Sequence, residues 1–316
     1  MVDDPPAETS RNRREQARAD FEHARADIEA QVRATNARIE ERAGRNLMAA
    51  IGLGLALGGG LLVSLILFKW LFMIFGAALL VFTSYELTTA LRSAGRDVPR
   101  IPIFVSAIGI VPFAFFFHAE GLWLATLGAI AFVSLWRLGE MALPSRKASG
   151  ADVFKDVLAG VMVVVYVMFL GGFTLVLTGS DNPDGRWWTL GFLIVVISTD
   201  TGAYASGLLF GKHPMAPKIS PKKTWEGFTG SVLFAVLAGT LVAIFMLNEP
   251  WPVGVLLGAT MALTATMGDL IESLIKRDLG IKDISSFLPG HGGFLDRLDS
   301  TLPSAAVAYA LYLIFT

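Results

Sequence analysis

Long apolar runs separated by short polar loops dominate the chain from residue 47 onward. We place nine apolar segments, at about 47–68, 70–90, 101–118, 122–137, 157–178, 188–210, 228–247, 253–275 and 301–316. A helix that crosses a bilayer needs about 20 residues, so the third, fourth and ninth segments are short and the fourth is a candidate half-span. The pattern predicts an all-α, polytopic integral membrane protein with about nine transmembrane helices.

The first 45 residues are polar and differ from the rest of the chain. Residues 11–45 alternate Arg, Glu, Asp and Ala, as an exposed helix does. We therefore predict that residues 1–45 form a cytosolic charged extension, partly disordered and partly helical, and that residues 46–316 form a transmembrane domain. Since the first apolar run starts near Leu47, after the polar tail, we expect a permanent membrane anchor and no secretory signal peptide.

Basic residues predict the orientation of the spans. With nine spans and a cytoplasmic N-terminus, 23 Lys and Arg residues fall on the inside, against only Lys69 and Arg186 in the outside loops. Cytoplasmic loops of membrane proteins carry such an excess of positive charge. We therefore expect a multi-pass protein of the inner cell membrane, with the loop after the eighth segment on the cytoplasmic side.

The amino-acid composition excludes several classes of protein and of functional site. Only 17% of the residues are charged, against about 25% in a soluble domain, which argues against a soluble enzyme. The chain has no cysteine, so disulfides and thiolate metal sites are excluded. It also has no Walker A sequence, no dinucleotide-binding GxGxxG unit and no HExxH sequence.

Polar and charged residues are concentrated at the end of the eighth segment. Its sequence MGDLIESLIKRD contains Asp269, Glu272, Ser273 and Lys276. The spacing places these four side chains on one face of a helix. Because a carboxylate inside an apolar helix is costly, this face is expected to line a polar cavity or a protein interface. A structural salt bridge between a carboxylate and Lys276 explains the pattern equally well.

The following loop ends in HGGFLDRLD, in which Asp296 and Asp299 share a face if the last helix begins near Phe294. Together with Asp269, brought in by the helical hairpin, these two carboxylates form a candidate Mg²⁺ site, since Mg²⁺ prefers oxygen ligands. His291 is therefore not expected as a metal ligand. It is either a turn residue or a phosphate-binding group.

The same loop is suited to anions. Lys282 and Arg297 are candidates to hold phosphate oxygens. Glycines allow backbone N–H groups to face an anion, and the loop supplies Gly290, Gly292 and Gly293.

A second polar cluster lies in residues 198–230. Asp200 stands inside an apolar helix and is followed by small residues that permit close helix packing or a cavity. The next loop carries lysines that the topology alone explains. Its segment Ser220-Pro-Lys222-Lys223-Thr224 places hydroxyls and cations at a helix N-terminus, where an anionic group binds well. Three other polar residues, Glu86, Glu140 and His118, lie near segment ends and are expected to be interfacial.

These residues resemble a known family. Ser273-x-x-Lys276-Arg277, Lys282-Asp283 and Pro289-x-His291-Gly292-Gly293-x-x-Asp296-Arg297-x-Asp299 are similar to the C-terminal signature of phosphatidate cytidylyltransferases, also called CDP-diacylglycerol synthases. The segments Asp200–Tyr204 and Ser220–Gly227 resemble the same family. The resemblance does not cover residues 1–45.

The resemblance implies a nucleotidyltransferase that converts CTP and phosphatidic acid to CDP-diacylglycerol and pyrophosphate for phospholipid biosynthesis. It also implies Mg²⁺, a homodimer, and a metal centre at Asp269, Asp296 and Asp299. A second cation is an open alternative, and no nucleic-acid partner is expected.

Within that implied reaction, we assign roles to individual residues. Asp269, Asp296, Lys276 and Arg297 are the expected catalytic residues. The expected substrate-binding residues are Ser220, Lys222, Lys223, Thr224, Ser273, Arg277, Lys282, His291, Gly292, Gly293 and Asp200.

Two other functional classes remain open. Intramembrane Asp200 and Asp269 would suit an ion-coupled transporter, although a transporter does not need the dense charged loop at one face. Another membrane enzyme that uses CTP, such as a polyprenol kinase, would also suit the charges.

Overall fold

The computed structural model describes residues 47–143, 148–285, 287 and 292–316. The site lies in the compact unit Leu57–Thr316, whereas the other unit, Met1–Ala56, lies mostly outside the described residues. The predicted cytosolic extension at residues 1–45 also lies outside them, so that division of the chain stays a prediction.

Helices make up nearly all of the described chain. They are α1 (Leu47–Leu67), α2 (Lys69–Ser93), α3 (Arg100–Phe116), α4 (His118–Glu140), α5 (Gly150–Gly179), α6 (Gly185–Phe210), α7 (Trp225–Leu247), α8 (Trp251–Asp278), the short α9 (Leu295–Leu298) and α10 (Thr301–Phe315). Two of them contain π-helical turns, α5 at Val164–Phe169 and α7 at Ala243–Leu247. A hairpin of β1 (Pro214–Ala216) and β2 (Ser220–Thr224) connects α6 to α7.

The helices confirm the prediction of an all-α, polytopic membrane protein. Seven helical stretches of the described chain are long and apolar enough to span a membrane: α2, α4, α5, α6, α7, α8 and the α9–α10 stretch. The apolar helices Gly54–Leu67 and Arg100–Phe116 are shorter, so the count of nine spans stays a prediction. The fourth segment extends further than predicted, over His118–Glu140, which makes it a full-length candidate rather than a half-span.

Large apolar side chains cover the outer faces of these helices. Leu237, Phe245 and Leu263 are each more than half exposed. A soluble protein rarely exposes so many large apolar side chains on its helices, whereas a lipid bilayer solvates them. The burial pattern therefore agrees with the membrane location inferred from hydropathy.

Glycines bring α6, α7 and α8 close together. A Cβ atom added to Gly239 in α7 would lie 2.4 Å from the Gly254 carbonyl oxygen in α8. In the same way, a Cβ on Gly202 in α6 would lie 2.7 Å from Phe234 Cβ in α7. Such small-residue contacts let helix backbones approach closely in membrane proteins, and they fix the framework on which the site is built.

A buried ion network holds α4 against α5. The Arg137 guanidinium is 2% exposed, and its Nε and Nη2 donate to Asp156 Oδ2 at 3.1 and 2.8 Å. The Asp97 N–H donates to Asp156 Oδ1 at 2.9 Å, and Arg92 Nη1 lies 2.7 Å from Asp97 Oδ1. Buried charges need such partners, so two of the arginines that we used to predict topology also join helices.

Candidate active site

A cavity of about 420 Å³ lies between α6, α7, the hairpin, α8 and the start of the last helical stretch. Charged and hydroxyl side chains line much of its wall, although the helices around it are apolar. They include Asp200, Ser220, Lys222, Lys223, Thr224, Asp269, Glu272, Lys276, Asp296, Asp299 and Ser300. The cavity therefore brings the two polar clusters of the sequence together.

Three carboxylates form the acidic part of the cavity. Oxygen atoms from Asp269, Glu272 and Asp299 all lie within 4.8 Å of one another. Asp269 and Glu272 share one face of α8 because they are three residues apart, and Asp299 follows α9 directly. A glycine makes this approach possible, since a Cβ on Gly268 would lie 2.1 Å from the Asp299 carbonyl oxygen.

Glu272 is the most deeply buried of these carboxylates. The residue is 1% exposed, and its Oε1 has no hydrogen-bond partner among the described residues. A buried carboxylate oxygen without a donor is costly. Three clustered carboxylates, one with an unpaired oxygen, fit the oxygen-rich coordination that Mg²⁺ requires.

Two lysines contact these carboxylates from opposite walls. Lys223 Nζ on β2 lies 2.6 Å from Asp269 Oδ2. Lys276 Nζ on α8 lies 2.5 Å from Glu272 Oε2 and 3.1 Å from Asp296 Oδ1. The two lysine side chains are largely shielded from water, at 19% and 17% exposure, and both line the cavity.

Asp200 of α6 also reaches the site. Its Oδ1 accepts a hydrogen bond from Ser300 Oγ at 3.3 Å. The Ser300 N–H donates to Asp299 Oδ1 at 2.7 Å. Ser300 thus links the carboxylate of α6 to the carboxylate that follows α9.

The hairpin forms the remaining wall. Its strands are antiparallel, with Pro214 paired to Thr224 and Ala216 paired to Ser220. Thr224 caps α7, because its Oγ1 accepts the Gly227 N–H at 3.1 Å. The predicted placement of this segment at a helix N-terminus is therefore confirmed, although we expected a loop rather than strands.

A partly exposed carboxylate on α7 and the end of α8 support the hairpin. Glu226 accepts the backbone N–H groups of Lys212 and His213 at 3.1 and 3.2 Å, and it contacts His213 Nδ1 at 2.5 Å. On the far side, Arg277 Nε donates to the Ile219 carbonyl at 3.2 Å. These contacts fix the position of the hairpin, which carries Lys222 and Lys223 on the cavity wall.

Comparison with known proteins agrees with this geometry. The profile of the Cytidylyltransferase family matches residues 48–315. This chain belongs to that family. Phosphatidate cytidylyltransferase of Mycobacterium bovis is 40% identical over 274 residues, which is 85% of this chain and 89% of the relative. The protein of the same name from Staphylococcus aureus is 33% identical over 247 residues, which is 76% of this chain and 91% of the relative.

The cytidylyltransferase cavity includes nine of the residues to which we assigned a catalytic, substrate-binding or metal-binding role from the sequence. They are Asp200, Ser220, Lys222, Lys223, Thr224, Asp269, Lys276, Asp296 and Asp299. Six others do not line it: Ser273, Arg277, Lys282, Gly292, Gly293 and Arg297. His291 lies outside the described residues. The predicted roles of all these residues stay predictions.

The grouping of carboxylates differs from the one predicted. We expected Asp296 to join Asp269 and Asp299, whereas the structure groups Glu272 with those two. Asp296 instead contacts Lys276 and accepts the Gly293 N–H at 2.8 Å. From the sequence we expected the Gly293 N–H to face a bound anion rather than a carboxylate of the protein. The difference arises because Glu272 lies one helical turn from Asp269 on the face toward Asp299.

From the sequence we expected Glu86 to be interfacial and gave it no role in the site. In the structure Glu86 is 3% exposed, and from α2 it binds Ser285 and Leu295, in and directly after the loop that joins α8 to α9, here called the signature loop. The cost of a charge inside an apolar helix, which drew attention to Asp200 and Asp269, applies to Glu86 equally. The position of Glu86 within an apolar helix could therefore have identified this residue from the sequence.

Proposed function

We propose that this cytidylyltransferase transfers CMP from CTP to phosphatidic acid, which yields CDP-diacylglycerol and pyrophosphate. A phosphate oxygen of the lipid attacks the α-phosphorus of CTP, a new P–O–P bond forms, and the bond to the β-phosphate breaks. The observation that carries the proposal is the single cavity in which Lys223 and Lys276 meet the Asp269, Glu272 and Asp299 carboxylates.

Both substrates are polyanions, so neutralisation and positioning account for most of the catalysis. Lys222 and Lys223 on the hairpin and Lys276 on α8 supply positive charge from two walls. An incoming phosphate competes with the carboxylates for these ammonium groups. No general base is needed, because a phosphate monoester is already ionised near neutral pH.

The site fits a divalent cation. Asp269, Glu272 and Asp299 would hold Mg²⁺, and Asp296 is a further candidate because it lines the same cavity. When bound there, Mg²⁺ would offset the negative charge of the triphosphate and of the departing pyrophosphate. A second cation at Asp200 or Asp296 is part of the same proposal.

The proposed location is the inner membrane, with the cavity on the cytoplasmic side. The 23-to-2 excess of basic residues on the predicted inside supports this orientation. It would let CTP arrive from the cytosol while the lipid reaches the cavity from the leaflet. A homodimer, implied by the sequence resemblance, is also proposed.

CTP labelled at one phosphate distinguishes the candidate reactions. Purified protein is incubated with Mg²⁺, with either phosphatidic acid or a polyprenol as the acceptor, and with CTP that carries ³²P at either the α or the γ position. A cytidylyltransferase moves α label into lipid and leaves γ label in pyrophosphate. A lipid kinase would move γ label into lipid, and a transporter would move neither.

A further inference from the structure

Glu86 is a buried carboxylate that lies outside the wall of the cavity. It belongs to α2, about 200 residues before the signature loop, and it is 3% exposed. Lys223 and Lys276 pair instead with carboxylates of the cavity wall, Lys223 with Asp269 and Lys276 with Glu272 and Asp296. A buried carboxylate is costly in a membrane helix and is seldom kept there without a function.

Each Glu86 oxygen binds one side of the signature loop. Oε1 accepts the Ser285 hydroxyl at 2.5 Å, and Oε2 accepts the Leu295 N–H at 3.0 Å. Leu295 is the first residue of α9, the short helix that carries Asp296. Hydrogen bonds are directional, so the two contacts of this carboxyl group fix where α9 begins.

A glycine allows the carboxylate to come this close. A Cβ on Gly293 would lie 2.9 Å from Glu86 Oε2 and 3.1 Å from Ser285 Oγ. The Gly293 N–H in turn donates to Asp296 Oδ2 at 2.8 Å. Gly293 therefore lies against Glu86 and also donates a hydrogen bond to Asp296, a carboxylate of the cavity wall.

Aromatic rings support the same attachment. Phe82 lies one helical turn before Glu86 and stacks on Phe294, with ring centres 5.1 Å apart and planes 10° apart. Phe82 also lies 5.4 Å from the Phe287 ring, and Phe287 lies 5.7 Å from Phe294. The apolar contact holds the loop near α2, and the directional hydrogen bonds of Glu86 set its position along the helix.

We propose that Glu86 is a positioning residue of the nucleotidyl-transfer site. Its carboxylate binds Ser285 and Leu295 and thereby sets the place of Asp296 and Asp299 relative to Lys276 and Asp269. The inference depends on the proposed function only where turnover is measured. Cation binding to the cavity tests the role of Glu86 without any lipid acceptor.

The test compares three variants with a matched control. Glu86→Ala removes both acceptors, and Ser285→Ala removes one partner. Glu86→Gln keeps an oxygen for the Leu295 N–H and an amide N–H₂ that can donate to Ser285 Oγ. The control is Thr88→Val on the same helix, since Thr88 is 1% exposed and its hydroxyl has no partner among the described residues.

Mn²⁺ binding to the detergent-purified proteins is measured by electron paramagnetic resonance, together with kcat, the KM for CTP and thermal unfolding. We expect Glu86→Ala to weaken Mn²⁺ binding and lower kcat by about tenfold or more, as supporting residues of metal sites do. Glu86→Gln should recover most of both, Ser285→Ala should fall between them, and Thr88→Val should match the parent protein.

Two results would overturn the inference. The first is a Glu86→Ala protein with parental Mn²⁺ affinity and kcat. The second is a loss in Glu86→Ala that Glu86→Gln does not relieve and that follows thermal stability alone across all four variants. If the parent protein binds Mn²⁺ but makes no CDP-diacylglycerol, the proposed function fails while the comparison of Mn²⁺ affinities still decides the role of Glu86.

Discussion

Lys223 Nζ lies 2.6 Å from Asp269 Oδ2, an ion pair that joins β2 to α8 across the cavity. The two residues come from separate polar clusters, 46 positions apart in the sequence. Because the lysine is only 19% exposed, it is available to an anion inside the cavity rather than to one on the surface. This contact directly links the hairpin to the group of carboxylates.

Replacing Lys223 with methionine tests this link. Lys223→Met keeps the length of the side chain and removes its charge, so CTP loses one cation and Asp269 loses its partner. We expect kcat/KM for CTP to fall by about tenfold or more, which corresponds to about 1.4 kcal/mol. Steady-state kinetics with labelled CTP measures the change.

Lys218→Met is the matched control, because Lys218 is an exposed lysine of the same hairpin that does not line the cavity. It should stay within about twofold of the parent protein, as surface substitutions usually do. Equal losses in Lys218→Met and Lys223→Met would show that the hairpin needs total charge rather than the Asp269 contact.

The carboxylates make a prediction about Mg²⁺ dependence. Glu272→Gln and Asp299→Asn each replace an oxygen ligand of the group by a weaker neutral one. The Mg²⁺ concentration for half-maximal activity should therefore rise by about tenfold or more in each variant. Titration of activity with Mg²⁺ at saturating CTP gives the values, and an unchanged midpoint in both variants would remove these residues from the cation site.

The Asp296→Asn variant distinguishes two roles of Asp296, the predicted one as a metal ligand and the observed one as the ion-pair partner of Lys276. As a direct ligand, Asp296 would give the same rise in the Mg²⁺ midpoint as Asp299. As a partner of Lys276, it would lower kcat by about tenfold or more with a nearly constant Mg²⁺ midpoint. The sequence predicts the first result and the 3.1 Å contact with Lys276 favours the second, so the midpoint decides between them.

Gly268 makes a prediction about packing. Gly268→Ala places a methyl group 2.1 Å from the Asp299 carbonyl oxygen, which must push the start of α10 away from α8. Overpacking of this kind costs about 1–3 kcal/mol, so both thermal stability and turnover should fall. In the control Gly109→Ala, the new methyl group has no atom within 4 Å, and the unfolding temperature should not decrease.

The proposed orientation can be tested because the chain has no native cysteine. A cysteine at Lys218 in the hairpin should react with a membrane-impermeant maleimide only after the cells are opened. A cysteine at Asp181, an exposed residue between α5 and α6, should react in intact spheroplasts. The reverse pattern would place the cavity on the outer side.

Much of this architecture follows from local sequence. The apolar runs predict the helices because an apolar segment in the membrane must form hydrogen bonds among its own backbone N–H and C=O groups. The shared face of Asp269, Glu272 and Lys276 follows from helical spacing, and the structure places all three on the cavity wall.

The remaining features depend on contacts that local sequence does not determine. The hairpin was missed because strands as short as Pro214–Ala216 carry no periodic pattern. Lys276 could pair with several carboxylates, and its contact with Asp296 depends on how the signature loop folds back. Glu86 binds residues about 200 positions away, a pairing that helix periodicity does not encode.

The proposed site is tested most directly by a structure determined with CTP and Mn²⁺, with the cation located from its anomalous scattering. We predict an anomalous peak within bonding distance of Asp269 and Asp299, and the triphosphate between Lys223 and Lys276. A peak elsewhere in the protein, or CTP bound outside this cavity, would contradict it.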